Sequence, residues 1–133
     1  MIDAWTDEGY KGRLEIVKKR FEKEIKLGQI VINQGLSSTE LERFDDGYFD
    51  WVYIDTNHTY ITTAKELEIS QRKVKRGGII AGHDYTIGIW SGSASRFGVI
   101  EAVHEFCTKY KWEMIYLTHE INRTLSFALK QIL

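Results

Sequence analysis

The sequence predicts an α/β domain whose sheet is mostly parallel, with an antiparallel edge towards its C-terminal end. Three observations point there. Strand-like apolar runs alternate with amphipathic helical stretches over residues 10–110, the order of a parallel sheet with crossover helices. Two of the runs, Phe49 to Ile54 and Ile79 to Ala81, are short and almost wholly apolar, as buried strands are. The last two, Trp112 to Leu117 and Thr124 to Leu129, are joined by a short polar connection and read as an antiparallel pair.

Taken in order, Met1 to Asp3 reads as the tail of a strand. Over residues 10–27, Leu14, Val17, Phe21 and Ile25 fall on one helical stripe among lysines and glutamates, closed by Gly28. Gln29 to Asn33 is a short strand by its β-branched residues. Ser37 reads as a helix N-cap, with Glu40 three residues on completing a capping box. Thr59 to Lys75 reads as a helix whose basic end, Arg72, Lys73, Lys75 and Arg76, suits the negative pole of the helix dipole. Gly77-Gly78 stops it. Residues 85–97 carry glycine, serine and aromatics without periodicity and read as a mobile loop. Val99 to Tyr110 is a helix with Val99, Val103, Phe106 and Cys107 facing inward.

With 133 residues there is room for one core, so a single domain over 1–133 is expected. Apolar residues at 43% and charged residues at 28% are a globular balance that argues against disorder. A net charge of −1 gives no electrostatic reason to expect nucleic acid or an acidic membrane surface as partner. The sequence has no run of about 18 apolar residues and no signal-peptide pattern, so a cytoplasmic protein without membrane attachment is expected. The lone cysteine, Cys107, reads as a buried small hydrophobe.

The chemistry gathers where the apolar runs stop. Asp55 and His58 follow the first, and His83 and Asp84 follow the second. Ligands of parallel sheets sit at the carboxyl ends of neighbouring strands, so these four are expected in one crevice. Asp55 either holds a metal or a ligand hydroxyl, or caps the next helix. His58 is a surface loop residue or a general base, a task that an imidazole titrating at about pH 6.5 suits. Asp55 and Asp84 supply two hard oxygens, as Mg²⁺ prefers. His83 as a direct ligand tilts the site towards Mn²⁺, Fe²⁺ or Zn²⁺; its other reading is as a support behind the ligands. His104 reads as structural or solvated, and His119 receives no role. The serine-rich stretch at 91–95 matches neither phosphate-loop pattern, and no nucleophile elbow is present.

These residues resemble the class I S-adenosylmethionine-dependent methyltransferases. The branch most alike is methyltransferase family 24, with macrocin-type and catechol-type O-methyltransferases among its relatives. Its pattern falls on Phe49 to Tyr60, Val74 to Tyr85 and Gly98 to Phe106, in order and spacing, with one departure: Thr56 stands where the family usually has glycine. The resemblance implies a Rossmann-like sheet of order 3-2-1-4-5-7-6. Asp3 then ends the second strand, so the first strand, its glycine-rich turn and the first helix are expected to be missing. By the same resemblance Asp3 holds the cofactor ribose. Asp55, His83 and Asp84 bind a divalent metal, Mg²⁺ or Mn²⁺, and His58 is the catalytic base.

The expected reaction is metal-assisted methyl transfer to a small-molecule hydroxyl acceptor, with doubtful activity for this chain alone. A bare edge on the family's fourth strand is expected either to take up the strand at 29–33 or to pair with a second copy, and the homodimer is the favoured assembly. Two other readings stand beside this one: a non-catalytic methyltransferase-like binding or assembly module, and a small metal-dependent hydrolase or lyase.

Overall fold

The structure, a computed structural model, describes residues 1–6, 10, 12–89, 96–119 and 124–132. The chain forms two compact units, Met1–Arg43 and Phe44–Leu133. The first contains β1 (Ile2–Asp3), α1 (Arg13–Arg20), α2 (Glu22–Lys26), β2 (Asn33–Gln34) and α3 (Ser37–Glu42). The helix expected over 10–27 is two helices, because Phe21 leaves the helical region at φ −110° and ψ 25°. Its apolar stripe survives the break, with Leu14, Val17, Phe21 and Ile25 half-buried. Gly28 closes α2 at φ 71°, and the end is bonded as a Schellman motif: Gln29 N–H donates to Glu24 C=O and Gly28 N–H to Ile25 C=O.

Two expectations for this unit are corrected. The strand over 29–33 shrinks to Asn33–Gln34, since its parallel partner β1 is itself two residues long. The N-cap of α3 is Leu36, extended at φ −65° and ψ 132°, and not Ser37, which begins the helix itself. Glu40 is therefore the fourth helical residue, one past the capping-box position, and its side chain folds back against Gly35. Its carboxylate instead accepts from Arg43 Nη1 at 3.1 and 3.3 Å.

The second unit contains β3 (Phe49–Ile54), α4 (Tyr60–Lys73), β4 (Val74–Tyr85), α5 (Val99–Tyr110), β5 (Trp112–Leu117) and β6 (Leu125–Gln131). Its four strands lie in the order β3-β4-β6-β5. β3 and β4 are parallel, and β6 runs antiparallel to both of its neighbours, so the sheet is mostly parallel with one reversed strand. This is the 4-5-7-6 portion of the methyltransferase order. Alternation along the strands sends Ile54, Ile80, Phe127 and Leu129 into a core with Leu67 of α4 and Val99, Val103 and Phe106 of α5. Trp51, Tyr53 and Tyr116 stay exposed. Cys107 packs half-buried against this core, and burial pushes its thiol pKa up.

Gly77-Gly78 is not a helix stop. The helix has already ended at Lys73, and both glycines lie within β4, where the register against β3 shifts between Phe49 and Trp51. A Cβ on Gly78 would come within 2.6 Å of Asp50 O, so only glycine lets β4 run this close to β3. Lys73 lies in the last turn of α4, as expected of the helix's basic end, but its side chain turns inward. It is buried, and its Nζ donates to Phe44 O at 2.7 Å and to Asp46 Oδ1 at 2.8 Å, fastening the chain ahead of β3 to α4. Among the described residues no helix is long and apolar enough to cross a membrane.

Two outcomes are expected. Leu67 is fully buried, so Leu67→Ala should cost about 2–5 kcal/mol in urea unfolding. The hydrogen bond from Lys73 holds the Asp46 carboxyl below its ordinary value of 3.8. Its contribution is present above that value and fades as pH falls through the lower folded one. Asp46→Asn should therefore flatten the acid limb of a melting-temperature profile and leave its shape above pH 5 unchanged.

Candidate functional site

The site begins with the parallel ladder. Ile54 stands opposite Gly82, so the residues that follow both strands emerge at the same end of the sheet. Asp55 leaves β3 directly, His58 lies in the turn leading to α4, and His83 and Asp84 are near the last residues of β4. A Cβ on Gly82 would lie 2.9 Å from Ile54 O and 2.7 Å from the Phe127 ring, so a small residue is required where the strands close up.

His58 and Asp84 both occupy the left-handed region, at φ 60° and 58°. Side-chain-bearing residues there cost on the order of 1–3 kcal/mol each and are kept only where surrounding structure imposes them. The constraints are visible. Gly98 N–H donates to His58 C=O at 2.9 Å, and Thr86 N–H donates to Asp84 C=O at 2.8 Å. Thr59 caps α4 by accepting from Thr62 N–H, while Asn57 Oδ1 accepts from Thr59 N–H and Oγ1. The cap that Asp55 was a candidate for thus belongs to Thr59, and Asp55 stays exposed at the strand end.

Asp55, His58 and Asp84 each present a ligand atom, and the three atoms lie within 4.8 Å of one another. His58 Nδ1 is 2.8 Å from Asp84 Oδ2. His83 is one step out: its Nδ1 is 3.4 Å from the same oxygen, and its Nε2 pairs with Thr124 Oγ1 at 3.3 Å. Asp84 is only 7% exposed, so its carboxylate sits between two imidazoles largely away from water. The Phe97 ring lies 5.7 Å from that of His58. Behind the site, Ile54, Thr56, His58, Thr63, His83, Val99 and Phe127 line a cavity of about 10 Å³, space for one water at most.

Two carboxylate oxygens and an imidazole nitrogen at this spacing fit a divalent cation. With His58 as a ligand the mixed oxygen–nitrogen set suits Mn²⁺, Fe²⁺ or Zn²⁺; with the two carboxylates alone the donors are all oxygen, as Mg²⁺ prefers. Asp3 lies in the first unit, exposed at the carboxyl end of β1, with its Oδ1 accepting from Trp5 N–H at 3.0 Å. His104 pairs with the Tyr85 hydroxyl at 2.6 Å, a local structural contact.

Sequence reasoning missed Thr124, Glu66 and Gly98 as supports. Thr124 and Gly98 are remote in sequence from what they support. Glu66 carries the signal of an acid on the inward side of a helical stripe. A Cβ on Gly98 would fall 2.3 Å from Tyr60 N and 2.6 Å from Tyr60 Cα. Gly98→Ala should therefore displace the start of α4 and the His58 carbonyl. Expected are a fall of several degrees in melting temperature and a shifted His58 ring signal by NMR. Unchanged spectra would show that α4 yields freely.

A family model described as a methyltransferase domain, that of family 24, matches residues 2–85. Among curated proteins no sequence matches the chain. Several solved structures share the fold. An O-methyltransferase family protein from Burkholderia thailandensis matches at TM-score 0.66 and 10% identity, over 98% of this chain and 42% of that one. The O-methyltransferase from Bacillus cereus, in complex with SAH, matches at TM-score 0.63 and 15% identity, over 98% and 61%. A SAM-dependent methyltransferase from Methanosarcina mazei matches at TM-score 0.55 and 10% identity, over 77% and 67%. The structural likeness is one of fold, and it extends over only part of each neighbour. The family match, which spans residues 2–85 and so more than half of the chain, places the chain in methyltransferase family 24, a family of methyltransferase domains.

Proposed function

We propose that this chain serves a metal-dependent O-methyltransferase whose acceptor is a small hydroxyl-bearing molecule. The observation that carries the reading is the grouping of Asp55, His58 and Asp84 within 4.8 Å at adjacent strand ends. The Asp55 and Asp84 carboxylates would hold a divalent ion, with His83 braced against Asp84. A bound ion supplies Lewis acidity, lowering the pKa of a coordinated hydroxyl. Asp84 orients the His58 imidazole through Nδ1, as the carboxylate of a catalytic triad orients its histidine, and Nε2 accepts the acceptor's hydroxyl proton. The acceptor oxygen is then the nucleophile for methyl transfer. S-adenosylmethionine is the proposed donor, and Asp3 would take its ribose hydroxyls. The proposed setting is the cytoplasm. β3 is the end strand of its sheet among the described residues, and pairing along it by a second copy, a homodimer, is the proposed assembly.

Calorimetric titration with Mn²⁺, paired with release of S-adenosylhomocysteine from a panel of small phenols and alcohols, tests the reading. Asp84→Asn should weaken Mn²⁺ binding by more than the ~10–100-fold that outer supports of a metal site cost. His58→Gln should keep the metal and lose methyl transfer. Loss of metal in that variant would make His58 a ligand instead of a base. A wild-type chain that takes up no divalent ion would remove metal dependence altogether.

A further inference from the structure

We infer that Thr56 and Glu66 are positioning residues, a clamp that holds the turn carrying Asp55 and His58 in the shape a metal ion needs. The inference rests on the metal reading given above. Thr56 lies between the two candidate site residues in the turn from β3 to α4. Its Oγ1 donates to Glu66 Oε2 at 2.8 Å. Glu66 projects from the second turn of α4 and is 1% exposed, among the most buried side chains described.

A buried carboxylate costs stability unless it is hydrogen-bonded, so its retention calls for a local reason. The geometry supplies one. A hydrogen bond of ordinary length to an acceptor fixed in a packed helix ties the middle of the turn to a rigid element. The far end of the turn is tied by Gly98 N–H to His58 C=O at 2.9 Å. With both ties made, His58 is kept at φ 60°, a conformation it would leave if the turn were slack. Neither Thr56 nor Glu66 belongs to the group of three ligand atoms, so both act through Asp55 and His58.

The test is Mn²⁺ affinity of the full chain, read by loss of the free-ion electron paramagnetic resonance signal. Far-UV circular dichroism and melting temperature are recorded beside it. Thr56→Val keeps the shape and removes the donor; it should weaken Mn²⁺ binding at least ~10-fold, the low end of what supporting partners cost. Thr56→Ser keeps the donor and should stay within about 2-fold of wild type, a rescue that general destabilisation would not produce. Glu66→Gln keeps an acceptor and should fall between the two. Equal affinity in wild type and a folded Thr56→Val overturns the clamp and leaves the metal reading standing. Binding that Asp84→Asn does not weaken, or no binding by wild type, overturns the metal reading and the clamp with it.

Discussion

The parallel register of β3 and β4, with Ile54 opposite Gly82, governs the rest of the second unit. In a parallel pair both strands finish at the same edge, so whatever follows them in sequence shares a crevice. The apolar residues of the two strands enforce this register by facing the core formed with α4 and α5, where a one-residue slip would turn Ile54 and Ile80 outwards. Close approach then demands glycine at Gly78 and Gly82, since a side chain at either would strike backbone or the Phe127 ring. The site is thus a by-product of core packing: burying Ile80 sets the height at which Asp84 emerges.

Much of this second unit was legible in the sequence, and the reasons are local. Phe49–Ile54, Trp112–Leu117 and Val99–Tyr110 carry unbroken patterns and form the elements expected of them. The juxtaposition of Asp55, His58 and Asp84 was legible too, because strand ends in a parallel sheet leave few places for such residues to go. The roles assigned to them remain proposals. What escaped had its cause at a distance. β4 runs past Ile79–Ala81 at both ends because Val74 pairs with Phe49 of β3 and Tyr85 with Leu125 of β6, partners distant in sequence. The helix break at Phe21 interrupts an apolar stripe that itself continues, so periodicity gives no sign of it.

The partners of buried polar side chains were the hardest to foresee. Lys73 and Glu66 sit on α4 at helical spacing from the buried Ser70 between them, so their inward position follows the stripe; what the sequence does not show is the partner of each. Each is satisfied by a group far away in sequence: Lys73 by Phe44 and Asp46 before β3, Glu66 by Thr56 after it. The two contacts share a logic. One helix holds both ends of β3 with charged groups, and core packing against Ile54 holds the strand between them. Lys73 and Glu66 are both buried, so losing one of these hydrogen bonds costs more than losing a surface ion pair such as Lys18–Glu15.

The position of β6 has a consequence for the order in which the molecule is made. It is the last of the described strands along the chain, yet it lies between β4 and β5. Until residues 125–131 leave the ribosome, β4 has a ladder on one side only, and β5 has no neighbour to pair with. Long-range pairing of this kind costs loop-closure entropy before any contact repays it. The strand that carries Asp84 is therefore synthesised early and completed late. In that interval the nascent chain presents an unsatisfied strand edge, the feature that holdase chaperones and aggregation both exploit.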